Sequence, residues 1–499
     1  MFNEFSPEEQ LEWFDLNNKS VEHHVDSFYY SVNIKDDKCD NEDPGIVCLV
    51  RALEELKKRK RDNLSEVIEF CGLEVHPTGF SIYQYHLQLR ECFDVFICDN
   101  IMNEDTPRIC VQLRTRMLIY DGEFKAIEKS YEYVKLIADT FGLQVYSTLE
   151  NRIDYAFHTN LIQRSTDYLS TEYLREHLTS KLKLFHIIGV ISDDVDINTL
   201  QLGNRKSNSI FLRIYNKSRE VIEQNYKSFF IERWYEKKLI SKYDRYVYRR
   251  AFELKSYVTG VLIGRCEWYI QYGKSEETKD MLKELIRQCY KNSDNAPQIE
   301  KKIKGLLPPV TVINNVEFQT KRKFYASCEK SIDENIFKFR GEPELRRLYK
   351  ILYLKKEFLN YLTEKTVCFV DNKGTRKESM TDWWKRIHSC KIKYTDPAIL
   401  KMYREFERNS DLKRCKKRIL AGIAQYCAIK NDNLDERSYQ EDICDMLSEL
   451  NDNDVHEVDV ALKEGKLPYM HNFQYSVIQS RASRQLKGII NQKEKNGKE

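Results

Sequence analysis

Several stretches in the middle of the chain alternate apolar and polar residues at period two, and runs of helical period separate them. The segment "ICVQLRTRMLI" from Ile109 reads as a strand, and "GEFKAIEKSYEYVKLIADTFG" after it has helical spacing, with Gly142 positioned to stop the helix. "NRIDYAFHTN", Asn151 to Asn160, alternates again, so Arg152, Asp154, Ala156 and His158 share one face. "FLRIYNK" follows a Gly-Asn-Arg-Lys-Ser turn and sets Arg213, Tyr215 and Lys217 on one side, a phenol between two cations. "SREVIEQNYKSFFIERWYEKKLI" then has helical period. "GVLIGRCEWYIQYG", Gly260 to Gly273, reads as a strand with Arg265, Glu267 and Tyr269 on one side. "PPVTVINNVEFQTKRKFY", Pro308 to Tyr325, reads as a further strand region ending in Lys321, Arg322 and Lys323.

On either side of this alternating region the texture differs. Residues 1–70 are polar and read as a loose arm followed by a helix at "RALEELKKRKRD", whose basic run reads as a solvated face. Beyond Glu342 helical patterns dominate, in "ELRRLYKILYLKKEFLNYLTEK", "TDWWKRIHSC", "DLKRCKKRILAGIAQYCAIK" and "SYQEDICDMLSEL". The expected organisation is an N-terminal extension over 1–70, an alternating domain over 71–335, a helical domain over 336–475 and a basic tail over 476–499. The expected fold class is α+β, with a mainly antiparallel central sheet flanked by helices and a helical C-terminal domain after it.

Composition narrows the picture. A chain of 499 residues has room for two to four domains, and 41% hydrophobic with 12% aromatic residues is ordinary for a folded globular protein. The 81 Lys and Arg against 78 Asp and Glu leave a formal charge of +3, so a nucleic-acid partner must be argued from the distribution of charge. The 14 cysteines include no C-x-x-C pair, which speaks against a structural zinc site and fits free thiols in a reducing cytosol. The N-terminus is acidic without an apolar core of signal length, and no 18 uncharged apolar residues run together. A soluble cytoplasmic protein without a membrane partner is expected.

Chemistry concentrates on the strands. Asp154, His158 and Glu267 are oxygen and imidazole donors suited to Mg²⁺ or Mn²⁺, and a metal beside a phosphodiester neutralises a non-bridging oxygen. Tyr215 has an ordinary pKa near 10 and needs a base, a cation or a metal to favour the phenolate, a field that Arg213 and Lys217 would supply. A phenolate is also a good leaving group, so a phosphotyrosine link is reversible, as breaking and rejoining a DNA strand requires. Each residue also has a plainer reading. Tyr215 is one of 31 tyrosines, Asp154 and Glu267 suit cross-strand ion pairs, and His158 alone suits a satisfied polar site.

Taken in order, "ENRIDYAFH", "LGNRKSNSIFLRIYNK" and "RCEWYI" resemble the Rep-trans family of replication initiation factors, the rolling-circle initiators and related relaxases of plasmids, phages and integrative elements. The resemblance spans roughly residues 75 to 330. It implies a metal-dependent, site-specific nick of one DNA strand at a double-strand origin, giving a 5′-phosphotyrosine and a free 3′-hydroxyl that primes synthesis. Carried over by motif, Tyr215 is the nucleophile, Asp154 and Glu267 are ligands of Mg²⁺ or Mn²⁺, and Arg205, Lys206, Arg213 and Lys217 hold DNA phosphates. Where the family often has a second Asp, this chain has His158. Either His158 is an imidazole ligand or another acid such as Glu317 completes the set. The His-hydrophobic-His pair of other rolling-circle nucleases is absent, since "VEHHV" lacks the intervening residue. The resemblance further implies a homodimer on an origin hairpin; a host or element-encoded helicase is a further candidate partner. A conjugative relaxase acting at a transfer origin keeps the same chemistry, and a non-catalytic DNA-binding protein is the rival of another class.

Overall fold

The computed structural model describes residues 4–15, 19–36, 45–99, 107–163, 168–182, 185–190, 196–291, 296–328 and 341–390. The chain divides between Phe406 and Glu407, and every described residue belongs to the first unit. The helices expected at "DLKRCKKRIL" and "SYQEDICDMLSEL", and the tail over 476–499, lie outside the described residues.

The frame is an eleven-stranded sheet built from β1 (Val21–Asp36), β2 (Glu69–Phe70), β3 (Leu73–Val75), β4 (Tyr85–Leu89), β5 (Phe93–Ile97), β6 (Ile109–Arg114), β7 (Leu143–Thr159), β9 (Phe185–Val190), β10 (Asp196–Leu202), β11 (Ile210–Asn216) and β12 (Asn314–Lys321). Their order is β2-β3-β4-β5-β6-β1-β7-β12-β11-β10-β9, and every paired neighbour is antiparallel. β8 (Leu178–Ser180), β13 (Val367–Asp371) and β14 (Ser379–Met380) form a separate three-stranded sheet. The expected α+β class with a mainly antiparallel sheet is what the chain adopts.

One face of the large sheet is apolar. Ile153, Tyr155 and Phe157 of β7, Val316 and Phe318 of β12 and Leu212 and Ile214 of β11 are all buried in one core. Helix Glu123–Thr140 packs into that core through Ala126, Ile127, Val134 and Ile137. It ends, as its sequence signals, before Gly142 at φ +64°. Leu348, Leu352, Phe358, Trp384 and Ile387 bury in the same core, so residues 345–387 belong to the main body and not to a domain starting at 336. Among the described residues no helix is long and apolar enough to cross a membrane.

Two further expectations are corrected. The helix expected at "RALEELKKRKRD" is present as Gly45–Asp62, but the segment Val21–Asp36 before it is no loose arm: it is β1, between β6 and β7 at the middle of the sheet, in register with β7 from Val21 opposite Thr159 to Asp36 opposite Leu143. The stretch expected as a strand at 260–273 is a helix, Val258–Tyr272, in a second, helical core with Trp234, Tyr243 and Val247. A Cβ on Gly260 would sit 2.7 Å from Ala251 Cα, and one on Gly264 would sit 3.0 Å from the Val247 carbonyl oxygen. The two glycines, one turn apart, let this helix press against helix Lys242–Glu253.

Candidate functional site

The sheet's other face carries polar groups at every second residue. Register places His158 opposite Asn315 and Asn315 opposite Tyr215; one step along, Ala156, Glu317 and Arg213 align; another step along, Asp154 and Gln319 align. Paired residues on neighbouring strands point the same way, so these side chains form one surface. Apolar neighbours alternate to the opposite core, which fixes that orientation.

Tyr215 sits at the centre of a closed network and is only 6% exposed. Its hydroxyl donates to Glu317 Oε2 at 3.1 Å and accepts from Asn315 Nδ2 at 3.0 Å and Lys217 Nζ at 3.2 Å. Arg213 holds both Glu317 carboxylate oxygens at 3.0 Å, and its guanidinium lies 4.5 Å from the Tyr215 ring centroid. Burial, with the Glu317 charge adding to it, raises the phenol well above its usual pKa, while Lys217 and Arg213 oppose the rise. Lys217 is buried too. Desolvation works against its ammonium, but Tyr215, Asp26, Glu220 and Glu317 outweigh that and hold it charged. Its Nζ meets a Glu220 carboxylate oxygen at 2.6 Å.

Asp154 lies on the same face and takes a two-pronged pair from Arg152, at 2.8 and 2.5 Å. Burial pushes its carboxyl up to about 6 in spite of that pair, and the charges of Glu317 and Asp26 push the same way. Asp26 itself stays well below the carboxylate range: burial would raise it, but Lys217, His24 and Lys227 prevail. Asp154 on β7 thus feels the negative charge of Asp26 on β1 and of Glu317 on β12.

His158 is fully buried beside His24, with ring centroids 4.4 Å apart, beneath Phe230 and Trp234 of helix Phe229–Glu236. Burial, then His24 and Lys217, lower its pKa well below 6.5, so the ring is neutral. Trp234 Nε1 donates to His158 Nδ1 at 3.0 Å. An indole nitrogen only donates, so Nδ1 is the bare nitrogen and Nε2 carries the hydrogen. An Nε2–H cannot coordinate a metal, which counts against the imidazole-ligand alternative.

Glu267 does not reach this surface. It lies on helix Val258–Tyr272, where Arg250 holds its carboxylate at 2.7 and 3.1 Å, and Arg265 pairs with Glu300. The Arg-x-Glu spacing assigned to a strand is a helical segment in the second core. The acid that does stand beside Tyr215 is Glu317, the reserve candidate. Arg205 and Lys206 are exposed in the turn that joins β10 to β11.

Among the described residues no three His, Cys, Asp or Glu are gathered as a metal cluster. Asp154 and Glu317 are the donors on this face that suit a hard cation, and each would have to release its arginine, Arg152 or Arg213, to take one. They are two carboxylates on adjacent strands of one face, and Mg²⁺ is commonly held by one or two carboxylates with water and substrate phosphate making up the rest.

No protein-family model matches the chain, and no curated protein matches it. Solved structures do match, among them a rolling circle replication initiator protein from Geobacillus stearothermophilus. That structure is 13% identical, with a TM-score of 0.34, and the match covers 74% of this chain and 96% of that one. A likeness so distant assigns neither an activity nor a partner to this chain.

Proposed function

We propose that this protein nicks one strand of DNA by attack of Tyr215 on a phosphodiester, leaving a 5′-phosphotyrosine and a free 3′-hydroxyl, as a replication initiator would. The observation that carries this reading is the hydroxyl of Tyr215, which has a carboxylate acceptor on one side and two cation or amide donors on the other. Glu317 is placed to take the phenolic proton. Lys217 and Asn315 then solvate the phenolate oxygen, and Arg213 lies over the ring. The new bond joins the Tyr215 oxygen to phosphorus as the bond between phosphorus and the 3′ oxygen breaks, and that oxygen leaves as the alcohol with the proton that Glu317 took.

Asp154 and Glu317 are the pair that would hold Mg²⁺ or Mn²⁺, and such an ion would neutralise a non-bridging oxygen of the attacked phosphate. The groups of the chain itself position and deprotonate the nucleophile.

A buried tyrosine in a satisfied network is also what a purely structural residue looks like. Incubation of the full chain with labelled single-stranded origin DNA and Mn²⁺ separates the two. The nicking reading expects a covalent protein–DNA adduct whose linked peptide contains residue 215. An adduct that persists unchanged in Tyr215→Phe, or none from the parent protein, defeats it.

A further inference from the structure

Farther along the same face three cations, Arg152, Lys321 and Arg205, lie close enough to act on one another, and among the described residues only Arg152 is paired with a carboxylate. Lys321 of β12 stands opposite Arg152 of β7, and Arg152 stands opposite Tyr29 of β1. Arg152 is paired with Asp154, and its guanidinium lies 5.2 Å from the Tyr29 ring centroid. Lys321 Nζ donates only to the backbone carbonyls of Arg205 and Lys206, at 2.5 and 2.8 Å, and Arg205 Nε donates to the Gln319 amide oxygen at 3.1 Å. Among the described residues neither Lys321 nor Arg205 has a carboxylate partner. Burial, with Arg152 and Arg205 adding to it, lowers the Lys321 ammonium. Arg205 is exposed and Lys321, Arg152 and Tyr29 are partly exposed, so solvent reaches the cluster.

Like charges held this close, two of them without counter-charge, leave room for an anion. The cluster lies six residues along β12 from the position opposite Tyr215, or about 20 Å at roughly 3.3 Å per residue. A partly exposed tyrosine ring, Tyr29, stands next to it and supplies a face on which a base can stack. We propose that Lys321, Arg205 and Arg152 bind backbone phosphate of a DNA single strand that continues from the Tyr215 site, with one base stacked on Tyr29. This rests on the nicking reading for its direction and adds a second binding site remote from the chemistry.

The test is fluorescence anisotropy of a labelled single-stranded oligonucleotide over a NaCl series, with full-length protein carrying Tyr215→Phe so that no covalent link forms. Removing one cation that pairs with phosphate lowers the slope of log affinity against log salt by about 0.7 for a single strand, so Lys321→Gln with Arg205→Gln lowers it by about 1.4. Lys321→Arg keeps the parent slope. Tyr29→Leu weakens binding by about tenfold with the slope unchanged, the loss of one stacked base. Both glutamine changes fall on groups with no carboxylate to abandon, and a matching thermal melt verifies the fold. A double variant with the parent slope and affinity overturns the site. Slope loss without any adduct from the parent protein upholds the site and defeats the nicking reading; an adduct with an unchanged slope does the reverse.

Discussion

Glu317→Gln distinguishes a working site from a packing network, because the two accounts predict opposite signs. Glu317 accepts the Tyr215 proton in one account, and a positioned base is worth about 10²- to 10⁴-fold in rate. Its loss would then raise the barrier by about 3 to 5 kcal/mol. In the other account Glu317 is only a negative charge that makes the phenol harder to ionise, as its part in raising the Tyr215 pKa indicates. Removing that charge would then leave any reaction at Tyr215 equal or faster. The carboxylate is 3% exposed and Arg213 about a quarter exposed, so the variant leaves a partly buried guanidinium with one acceptor in place of two. That costs about 1 to 3 kcal/mol of stability, visible as a lower melting temperature without loss of fold. Single-turnover formation of the covalent adduct, resolved on a denaturing gel, reads the rate. A folded Glu317→Gln protein that forms adduct as fast as the parent would refute the assignment of Glu317 as base.

Further outcomes follow from the same geometry. Glu267→Gln leaves adduct formation unchanged and costs no more than about 1 kcal/mol, because its pair with Arg250 is a partly exposed helix contact away from the sheet face; single-turnover rates and melting check this. Asp154 has its folded pKa raised from 3.8 to about 6, so the protonated carboxyl is favoured on folding and stability is lost as pH rises through about 4 to 6. Asp154→Asn flattens that loss in melting temperatures taken across the same interval. Gly260→Val forces a branched side chain against Ala251 and lowers stability by about 1 to 3 kcal/mol in denaturant unfolding, with DNA affinity unaffected in the folded fraction.

The strands that matter most were legible because each has one apolar and one polar face. β7, β11 and β12 alternate cleanly, and the structure keeps their phase over the length of the pairing. β1 was hidden by a bulge. Its register shifts between Val25 and Ser27, so the buried apolar residues run Val25, Phe28, Tyr30, Val32 and the period-two pattern breaks at Asp26. Helix Val258–Tyr272 was misread for the reverse reason. It buries Val261, Leu262 and Ile263 in succession, and a helix apolar nearly all round loses the period that would identify it.

The acids of the site were harder to choose, because spacing alone does not say which element a motif lies on. Arg-x-Glu at 265–267 and Arg-x-Asp at 152–154 look alike in one dimension, yet only the second lies on a strand of the sheet that carries Tyr215, with β12 between the two. The signal that favours Glu317 over Glu267 and adds Asn315 and Gln319 was present in "NNVEFQTK", where Asn315, Glu317, Gln319 and Lys321 alternate with Val316 and Phe318. A central strand whose second face is polar four times over must satisfy every one of those groups, so its neighbours have to bring complementary charge. Arg213, Lys217 and Tyr215 do so at one end, and Arg152 with the Arg205 turn does so at the other. β12, not the Arg-x-Glu helix, is therefore the element that organises the polar face, and its residues decide both which acid Tyr215 meets and where a bound strand would run.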